Sequence, residues 1–395
     1  MASHLVIRKL FGNDNDDNSS DKHVCPAPDT SGPEIVPLFG SMTFHTFAMI
    51  LTGACGIASC LIILFAVMRH SFQYTNPVQQ RQIIRVICLV PYISVFSFLI
   101  VWLEGAGPYL VESLDFGSAL ALSAFLLLLC DYVMAHPDGF DDLFGEGALK
   151  RSQFATDSPQ WLKRTWYSVL QYIPTSVIIW LATVISLAVG TYCATSNKPY
   201  FAHIWITILK LLVTAIAVVA VLRFEKRMIS KLRPHSVYLK FFAFKGIIGL
   251  NVLQTLIINL LSSSGTIKPT KHLTYQDLVT ALPSLILACE MPIFAILLFI
   301  SFPVSPYKSG QKKGGPFKAI IDALNYSDIL SALIRGPMRL VRGQQMNIIR
   351  ADSMPLVPQQ QYQQQYQQQY QQQYQQPLDN EPPKYGVTYD AGQRV

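Results

Sequence analysis

Residues 278–302, LVTALPSLILACEMPIFAILLFISF, decide how the rest of the sequence is interpreted. A helix rises about 1.5 Å per residue, so a helix of this length crosses a hydrocarbon core of about 30 Å with some tilt. The stretch contains one charged side chain, Glu290, at its midpoint. A carboxylate at that depth costs about 2.5–3.5 kcal/mol and therefore needs a proton, a partner or a water-filled cavity. Glu290 either holds helices together or lines a solute path.

The composition indicates a membrane protein with several spans. Of the 395 residues, 51% are hydrophobic and 14% are charged, whereas soluble domains carry about 25% charged residues. The net charge of +7 arises from basic residues that flank apolar runs, which favours a membrane surface over nucleic acid as their partner. Seven runs are long enough to span: 42–68, 83–104, 109–134, 169–190, 201–222, 239–261 and 278–302. We therefore predict an all-α membrane protein, a bundle of seven transmembrane helices.

The distribution of Lys and Arg predicts the orientation of this bundle. The loops after the first, third and fifth runs are rich in basic residues, and the loops between them are poor. Because basic loops stay in the cytosol, the amino terminus lies outside or in a lumen and the carboxyl terminus lies in the cytosol. Plasma membrane, endosome and vacuole fit this topology equally well.

The segments that flank the membrane domain 42–302 differ in composition. Residues 1–41 are polar and acidic and predict a disordered exoplasmic arm, and residues 351–395 form a Gln/Tyr-rich, low-complexity tail. Residues 303–350 predict a basic amphipathic helical segment in the cytosol. Its apolar face comprises Phe317, Ile320, Ile321, Leu324, Leu330, Leu333 and Ile334. This segment either lies on an anionic leaflet or docks on the bundle.

The tail contains a PPxY motif at Pro382, Pro383 and Tyr385. Two prolines favour a polyproline II helix, and the tyrosine adds a ring for an aromatic-lined groove, which is how WW domains bind their ligands. We predict that the motif docks a ubiquitin ligase that carries WW domains.

Two modifications are predicted for the exoplasmic side. Asn18 opens an N-x-Ser sequon there, and Cys25 and Cys193 are the cysteines that fall in exoplasmic segments. A Cys25–Cys193 disulfide is therefore a hypothesis. We predict no metal site and no cofactor, because the chain has no CxxC pair, no His/Cys cluster and no GxxxxGK[ST] loop.

Residues 42–342 resemble the alpha-subunit family of organic solute transporters, Ost-alpha, in its fungal form. The matching segments are 77–86 (PVQQRQIIRV), 90–92 (VPY), 170–172 (LQY), 232–235 (LRPH), 240–245 (KFFAFK), 276–278 (QDL), 289–291 (CEM), 305–307 (SPY) and 321–325 (IDALN). The family often has Arg-Pro after LQY, whereas this chain has Ile173-Pro174. The resemblance implies a transporter and not an enzyme. The animal subunit moves bile acids and steroid conjugates with a small single-span partner, so such a partner or a homo-oligomer is expected, together with membrane lipids.

Four polar side chains lie at similar depth in the last three runs: Lys210, Asn251, Gln254 and Glu290. An ion pair between Lys210 and Glu290 would neutralise both charges, and the two amides would add hydrogen bonds to it. The cluster either joins helices as polar contacts or forms the polar centre of an amphipathic cavity. In the cavity, Lys210 would meet the charge of an amphiphilic organic anion or lipid.

Other charged residues lie near the cytosolic ends of spans. Arg85 and Asp131 either pair as a gate or extend separately toward the interface, and Lys245 has the same interpretation.

Three other classes of protein compete with a transporter. A trafficking adaptor that presents the PPxY tail needs no solute. A seven-span receptor is less consistent with the sequence, because the third run ends in CDYVMAHP and no NPxxY ends the seventh. An intramembrane hydrolase would need His45, His203 and His272 to converge with Asp115 on a metal.

Overall fold

The computed structural model describes residues 36–103, 105–136, 139–144, 158–193, 198–233, 237–263, 270–274, 277–308, 310–311 and 313–337. Within these residues the secondary structure is helical apart from one isolated bridge between Phe39 and Met42. Asn18, Cys25, Pro382, Pro383 and Tyr385 lie outside the described residues, as do most of the arm and all of the Gln/Tyr-rich tail.

Seven helical segments are long and apolar enough to cross a membrane, which confirms the predicted fold class. They are Phe44–Phe72, Pro77–Trp102, Gly107–Met134, Gln160–Val189, Ala202–Leu232, Leu239–Ile258 and Asp277–Ser301, called here the first to seventh spans. The fifth span extends well past its apolar part, so its last turns continue as a polar helix on the predicted cytosolic side.

Several spans consist of more than one helix. In chain order the helices are α1 (Phe44–Phe72), α2 (Pro77–Ile87), α3 (Leu89–Trp102), α4 (Gly107–Leu110), α5 (Ser113–Met134), α6 (Gly139–Phe144), α7 (Ser158–Leu170), α8 (Tyr172–Val189), α9 (Ala202–Leu232), α10 (Val237–Ser263), α11 (Leu282–Ser301), α12 (Pro316–Leu324) and α13 (Ser327–Arg335). A π-helical turn, Asp277–Ala281, precedes α11, and a 3₁₀ turn, Ser305–Tyr307, follows it.

The second span begins earlier than the apolar run at 83–104 predicted. Asn76 caps the amino terminus of α2 by accepting a hydrogen bond from the Gln79 amide, and Pro77 occupies the first turn, where a missing N–H costs nothing. Helix α2 is amphipathic and polar overall, and the apolar α3 follows after Cys88. A hydropathy window detects the apolar α3 and only the last turn of α2, so the polar first turns were missed.

The third span is the most deeply buried, and it separates two groups of helices. On one side α1, α3 and α11 pack together, and α10 packs on α11. On the other side α8 and α9 pack together and against α5. Gly117 lets α5 approach the second span closely, because a Cβ atom there would clash with the ring of Tyr92. The fifth and seventh spans therefore belong to different groups.

The two helices after the seventh span dock on the bundle. Helix α12 packs on α2 and α1 through the buried Ala319 and Ala323, and Ile329 and Ala332 are the buried apolar residues of α13. The large apolar side chains predicted for this segment point the other way: Phe317, Ile321 and Leu324 are exposed. In α12 the structure thus places small residues inward and large apolar residues outward.

Candidate functional site

The first polar centre joins the third, fourth and fifth spans around Lys210. The Nζ atom of Lys210 lies 2.7 Å from Asp115 Oδ2 and 3.1 Å from Glu112 Oε2. The Tyr172 hydroxyl donates to Asp115 Oδ1 (3.3 Å) and accepts from Thr214 Oγ1 (3.1 Å). Glu112 and Asp115 are three residues apart at the start of α5, and Lys210 and Thr214 are four apart on α9, so each pair shares a helix face. We call these five residues the Lys210 cluster.

The predicted Lys210–Glu290 ion pair is wrong. Lys210 lies in the fifth span, which packs on the third and fourth, whereas Glu290 lies in the seventh, which packs on the first, second and sixth. The position of a residue along a span indicates its depth, but it does not indicate which neighbouring helix the side chain faces. Glu112 was not among the residues predicted for the site. The available signal was a pair of carboxylates, Glu112 and Asp115, spaced i and i+3 near the exoplasmic end of the third run.

The Lys210 cluster is mostly buried, and its lysine already has two carboxylate partners. Both carboxylates and Tyr172 are buried, and a single ammonium contacts both carboxylates. A solute anion would have to compete with two carboxylates that already bind the lysine. The geometry therefore does not favour Lys210 as a partner for a solute anion.

The second polar centre lies between the sixth and seventh spans. Gln254 Nε2 donates a hydrogen bond to Glu290 Oε1. The other carboxylate oxygen of Glu290, Oε2, is buried and has no hydrogen-bond partner among the residues that the structure describes. Asn251 lies three residues before Gln254, and it is half-buried like Gln254 and Glu290. The structure therefore brings Gln254 and Glu290 together, with Asn251 on the adjoining part of the same helix.

The Gln254–Glu290 pair lies at the edge of an exposed apolar stripe. Ile286 and Ile293, four residues before and three after Glu290, are exposed, and Ile293 is 61% exposed. On the sixth span, Leu253 and Ile257 are exposed beside Gln254. The helix positions on the other side of Glu290, Leu287 and Phe294, are buried. In a membrane the exposed stripe faces lipid, so a polar pair with an unused oxygen borders the hydrocarbon.

A third polar centre, at the predicted cytosolic side, surrounds Arg85. Its guanidinium forms an ion pair with Asp328, with Nη2 2.8 Å from Oδ1, and Nη1 donates to Oδ2 (2.8 Å). It also donates to the carbonyl oxygens of Ala323 (2.8 Å) and Asn325 (2.6 Å), which lie at the carboxyl end of α12. A cation at the carboxyl end of one helix and a carboxylate in the first turn of the next both suit the helix dipoles.

Both interpretations offered for Arg85 need correction. The side chain is only 2% exposed, so it does not extend toward water, and the carboxylate that it contacts is Asp328 rather than Asp131. Burial alone would raise the pKa of Asp328, but the hydrogen bonds and charge of Arg85, with Arg81 and Gln82, outweigh it and lower that pKa. The side chain of Lys245 lies outside the described residues.

The segment 77–86, one of the segments that carry the family resemblance, forms side-chain hydrogen bonds to the part of the chain that follows the seventh span. Gln82 Nε2 donates to Asp328 Oδ2 (2.9 Å), and Gln79 Oε1 accepts from the Tyr307 hydroxyl (3.1 Å). The backbone amide of Thr75 donates to Gln80 Oε1 (2.8 Å), which orders the turn before α2. The polar residues of this segment therefore connect the second span to residues 305–335.

Cys193 is disulfide-bonded, and Cys55, Cys60, Cys88, Cys130 and Cys289 are free. Because Cys25 is not described, its pairing with Cys193 stays a prediction.

Within the described part of the chain, no group of three or more His, Cys, Asp or Glu side chains could hold a metal ion. Asp115 contacts Lys210 and Tyr172, whereas His45 lies 3.5 Å from Asp277, so the arrangement needed by a metal-dependent hydrolase does not form around Asp115.

Comparisons with known proteins identify relatives. A family model described as "Organic solute transporter Ostalpha" matches residues 48–307. Protein LAZ1 homolog 1 from Arabidopsis thaliana is 22% identical over 300 residues, 68% of this chain and 60% of that protein. Vacuole membrane protein hfl11 from Schizosaccharomyces pombe is 23% identical over 270 residues, 65% of this chain and 62% of that protein. The chain therefore covers about three-fifths of each relative. No solved structure matches.

Proposed function

The chain belongs to the organic solute transporter Ostalpha family, and from this premise we propose that it carries amphipathic organic solutes or lipids across its membrane along the Gln254–Glu290 pair. The observation that supports the site is Glu290 Oε2, a buried carboxylate oxygen without a described partner. Such a group costs free energy unless a donor reaches it. A hydroxyl, amide or ammonium group of a solute can supply that donor.

The surroundings of the pair suit a solute that is polar at one end. A solute whose polar group binds Glu290 can lay its apolar body along the exposed Leu253, Ile257, Ile286 and Ile293. The apolar body then stays in hydrocarbon while the polar group binds a polar site, so neither part pays a large transfer free energy. Asn251, half-buried on the same helix, extends the polar path by one turn. We therefore propose a route along the edge of the sixth and seventh spans rather than through a closed central channel.

We propose that the Lys210 cluster supports the fold and does not bind the solute, because the lysine is already bound by two carboxylates. We further propose, from the basic loops, that the amino terminus is exoplasmic and the carboxyl terminus cytosolic. One relative is a vacuole membrane protein, which favours the vacuole among the three membranes that the topology allows. Movement down a gradient fits the absence of a nucleotide-binding GxxxxGK[ST] sequence.

Uptake into proteoliposomes tests the proposal. Purified full-length protein is reconstituted, and the entry of labelled steroid sulfate, bile acid and a fluorescent phospholipid is measured for the native chain and for Glu290→Gln. We expect at least about a tenfold loss for any substrate that the native chain carries, which corresponds to roughly 1.4 kcal/mol. Asp142→Asn is the matched control, because it also removes a carboxylate, but one that pairs with Lys231 between α6 and α9. Full transport by Glu290→Gln at equal protein density contradicts the proposed site.

A second proposed function rests on the PPxY sequence at residues 382–385. We propose that the tail recruits a ubiquitin ligase with WW domains, which would make the chain an adaptor as well as a carrier. Tyr385→Ala should abolish binding of the full-length protein to an isolated WW domain and should slow its ubiquitination. Tyr374→Ala changes a tyrosine of the Gln-rich repeat and is the matched control. Unchanged binding by Tyr385→Ala excludes this function without bearing on transport.

A further inference from the structure

The outer side of the α12–α13 helix pair combines exposed large apolar side chains with exposed basic ones. Phe317 is 82% exposed, and Ile321, Leu324, Leu330 and Ile334 are also exposed. In α12 these residues follow the spacing i, i+4 and i+7, which places them on one helix face. Water-exposed apolar patches of this kind are unusual and indicate a partner. We call these five side chains the outer face.

The acidic side chains of this segment face the bundle, and its basic side chains are exposed. Asp322 accepts a hydrogen bond from the Tyr74 hydroxyl at 3.0 Å, and Asp328 is buried against Arg85 and Arg81. Both described acidic side chains of the segment therefore face the bundle. The charged side chains left exposed are all basic: Lys308, Lys313, Lys318 and Arg335. The surface that remains accessible is thus apolar and positively charged, which is complementary to an anionic lipid leaflet.

The position of the pair brings this surface to the membrane. The turn between the two helices contacts Arg85, which lies eight residues inside the second span. Tyr326 in that turn lines a small cavity with Cys88, Leu89 and Tyr92 of the second span and Gly117 of the third. On the far side, the Trp166 indole at the start of the fourth span donates to the Ala332 carbonyl at 2.9 Å. The α12–α13 pair therefore packs against the sides of the second, third and fourth spans.

We propose that the outer face of the α12–α13 pair lies in the adjoining leaflet, the cytosolic one in the predicted orientation, and that its basic side chains bind anionic phospholipid headgroups. The apolar side chains enter the boundary between headgroups and acyl chains. Lys318 and Arg335 then lie at the level of the phosphates. Arg85 and Asp328 hold the pair in register, so the lipid surface and the bundle contact opposite sides of the same two helices.

Photo-crosslinking to lipid tests this proposal in the full-length protein. A benzophenone amino acid replaces Ile321, and the protein is placed in nanodiscs of phosphatidylcholine alone or with 30% phosphatidylserine as the probe. Lipid adducts are counted by mass spectrometry after irradiation. The same substitution at Ser230, exposed on the polar extension of the fifth span, is the matched control. We expect adducts at Ile321 at least about tenfold more abundant than at Ser230, because an interfacial helix buries its apolar face about 5–10 Å deep.

The charge requirement is tested in the mixed nanodiscs. The ratio of phosphatidylserine to phosphatidylcholine among the adducts at Ile321 should exceed the bulk ratio by roughly fivefold for each basic side chain near the surface. The double variant K318E/R335E should remove this enrichment while adducts persist. Equal labelling at Ile321 and Ser230 overturns the membrane contact. Cross-linking of Ile321 to a second copy of the protein overturns it in favour of a protein interface, and adducts that match the bulk lipid ratio overturn the headgroup site.

Discussion

The Lys210 cluster and the Gln254–Glu290 pair place carboxylates inside apolar spans in opposite ways. In the cluster, two carboxylates contact one ammonium, a tyrosine adds a hydrogen bond, and the group is buried among three spans. In the pair, a single carboxylate has one amide partner and one unused oxygen beside an exposed apolar stripe. The difference shows that a charge within a span does not by itself mark a binding site. The informative feature is what remains unpaired.

Of the variants predicted here, the one that removes Lys210 should lower the stability of the protein most. Lys210→Met leaves two carboxylates buried without a cation, and breaking a buried ion pair costs about 3–5 kcal/mol. We expect the variant to lose its monodisperse peak in size-exclusion chromatography and to unfold at a clearly lower temperature. The triple variant Lys210→Met, Glu112→Gln, Asp115→Asn removes all three charges and should recover most of the loss. A single variant as stable as the native chain would mean that the cluster is not a structural ion pair.

Replacing Asp328 should lower stability by an intermediate amount. It tests how the charge of Arg85 is balanced at the edge of the membrane. Asp328→Asn weakens charged hydrogen bonds with Arg85, which are worth about 1.5–3 kcal/mol, while the carbonyl contacts of Arg85 remain. The α12–α13 pair should then exchange its amide hydrogens faster, as measured by mass spectrometry. Ser327→Ala is a nearby control, since Ser327 is exposed. Unchanged exchange in Asp328→Asn would show that Asp328 does not hold the pair in place.

The same carboxylate predicts a pH dependence. Its pKa in the folded protein is lower than the ordinary value of 3.8, so its contribution to stability is complete above that value and is lost as the pH falls through the folded pKa. Hydrogen exchange of the pair, corrected for its intrinsic pH dependence, should therefore be equal at neutral and mildly acidic pH. A loss of protection between neutral pH and about pH 5 would contradict this assignment.

The smallest change in stability is expected when the Gln254–Glu290 contact is removed. A double-mutant cycle of Gln254→Leu and Glu290→Leu should give a coupling free energy of about 0.6 kcal/mol, the average for polar contacts between membrane helices. Thermal unfolding of the two single variants and the double variant in the same detergent measures it. A coupling of 3 kcal/mol or more would place the pair with the Lys210 cluster as a structural contact and would weaken its proposed role in transport.

The number of spans could be predicted from the sequence, whereas the partners of the charged residues could not. Apolar runs such as 278–302 identify spans because lipid admits only helices with satisfied backbones. Gln254 and Glu290 were grouped correctly because their spans are consecutive and pack side by side. Lys210 was misassigned because its true partners, Glu112 and Asp115, lie two spans earlier. Arg85 was misassigned because its partner Asp328 lies beyond the last span, in a predicted helical segment whose docking on the bundle the sequence left open.

The contacts of Arg85 also bear on how the protein is made. Its partners Ala323, Asn325 and Asp328 lie 238, 240 and 243 residues later in the chain. At about 5–20 residues per second, a ribosome needs roughly 12–50 s to translate that interval. The second span therefore enters the bilayer before Ala323, Asn325 and Asp328, the late partners of Arg85, have been synthesised. Until then, headgroups or water must solvate the Arg85 guanidinium. The bundle is complete only when α12 and α13 pack on the second span.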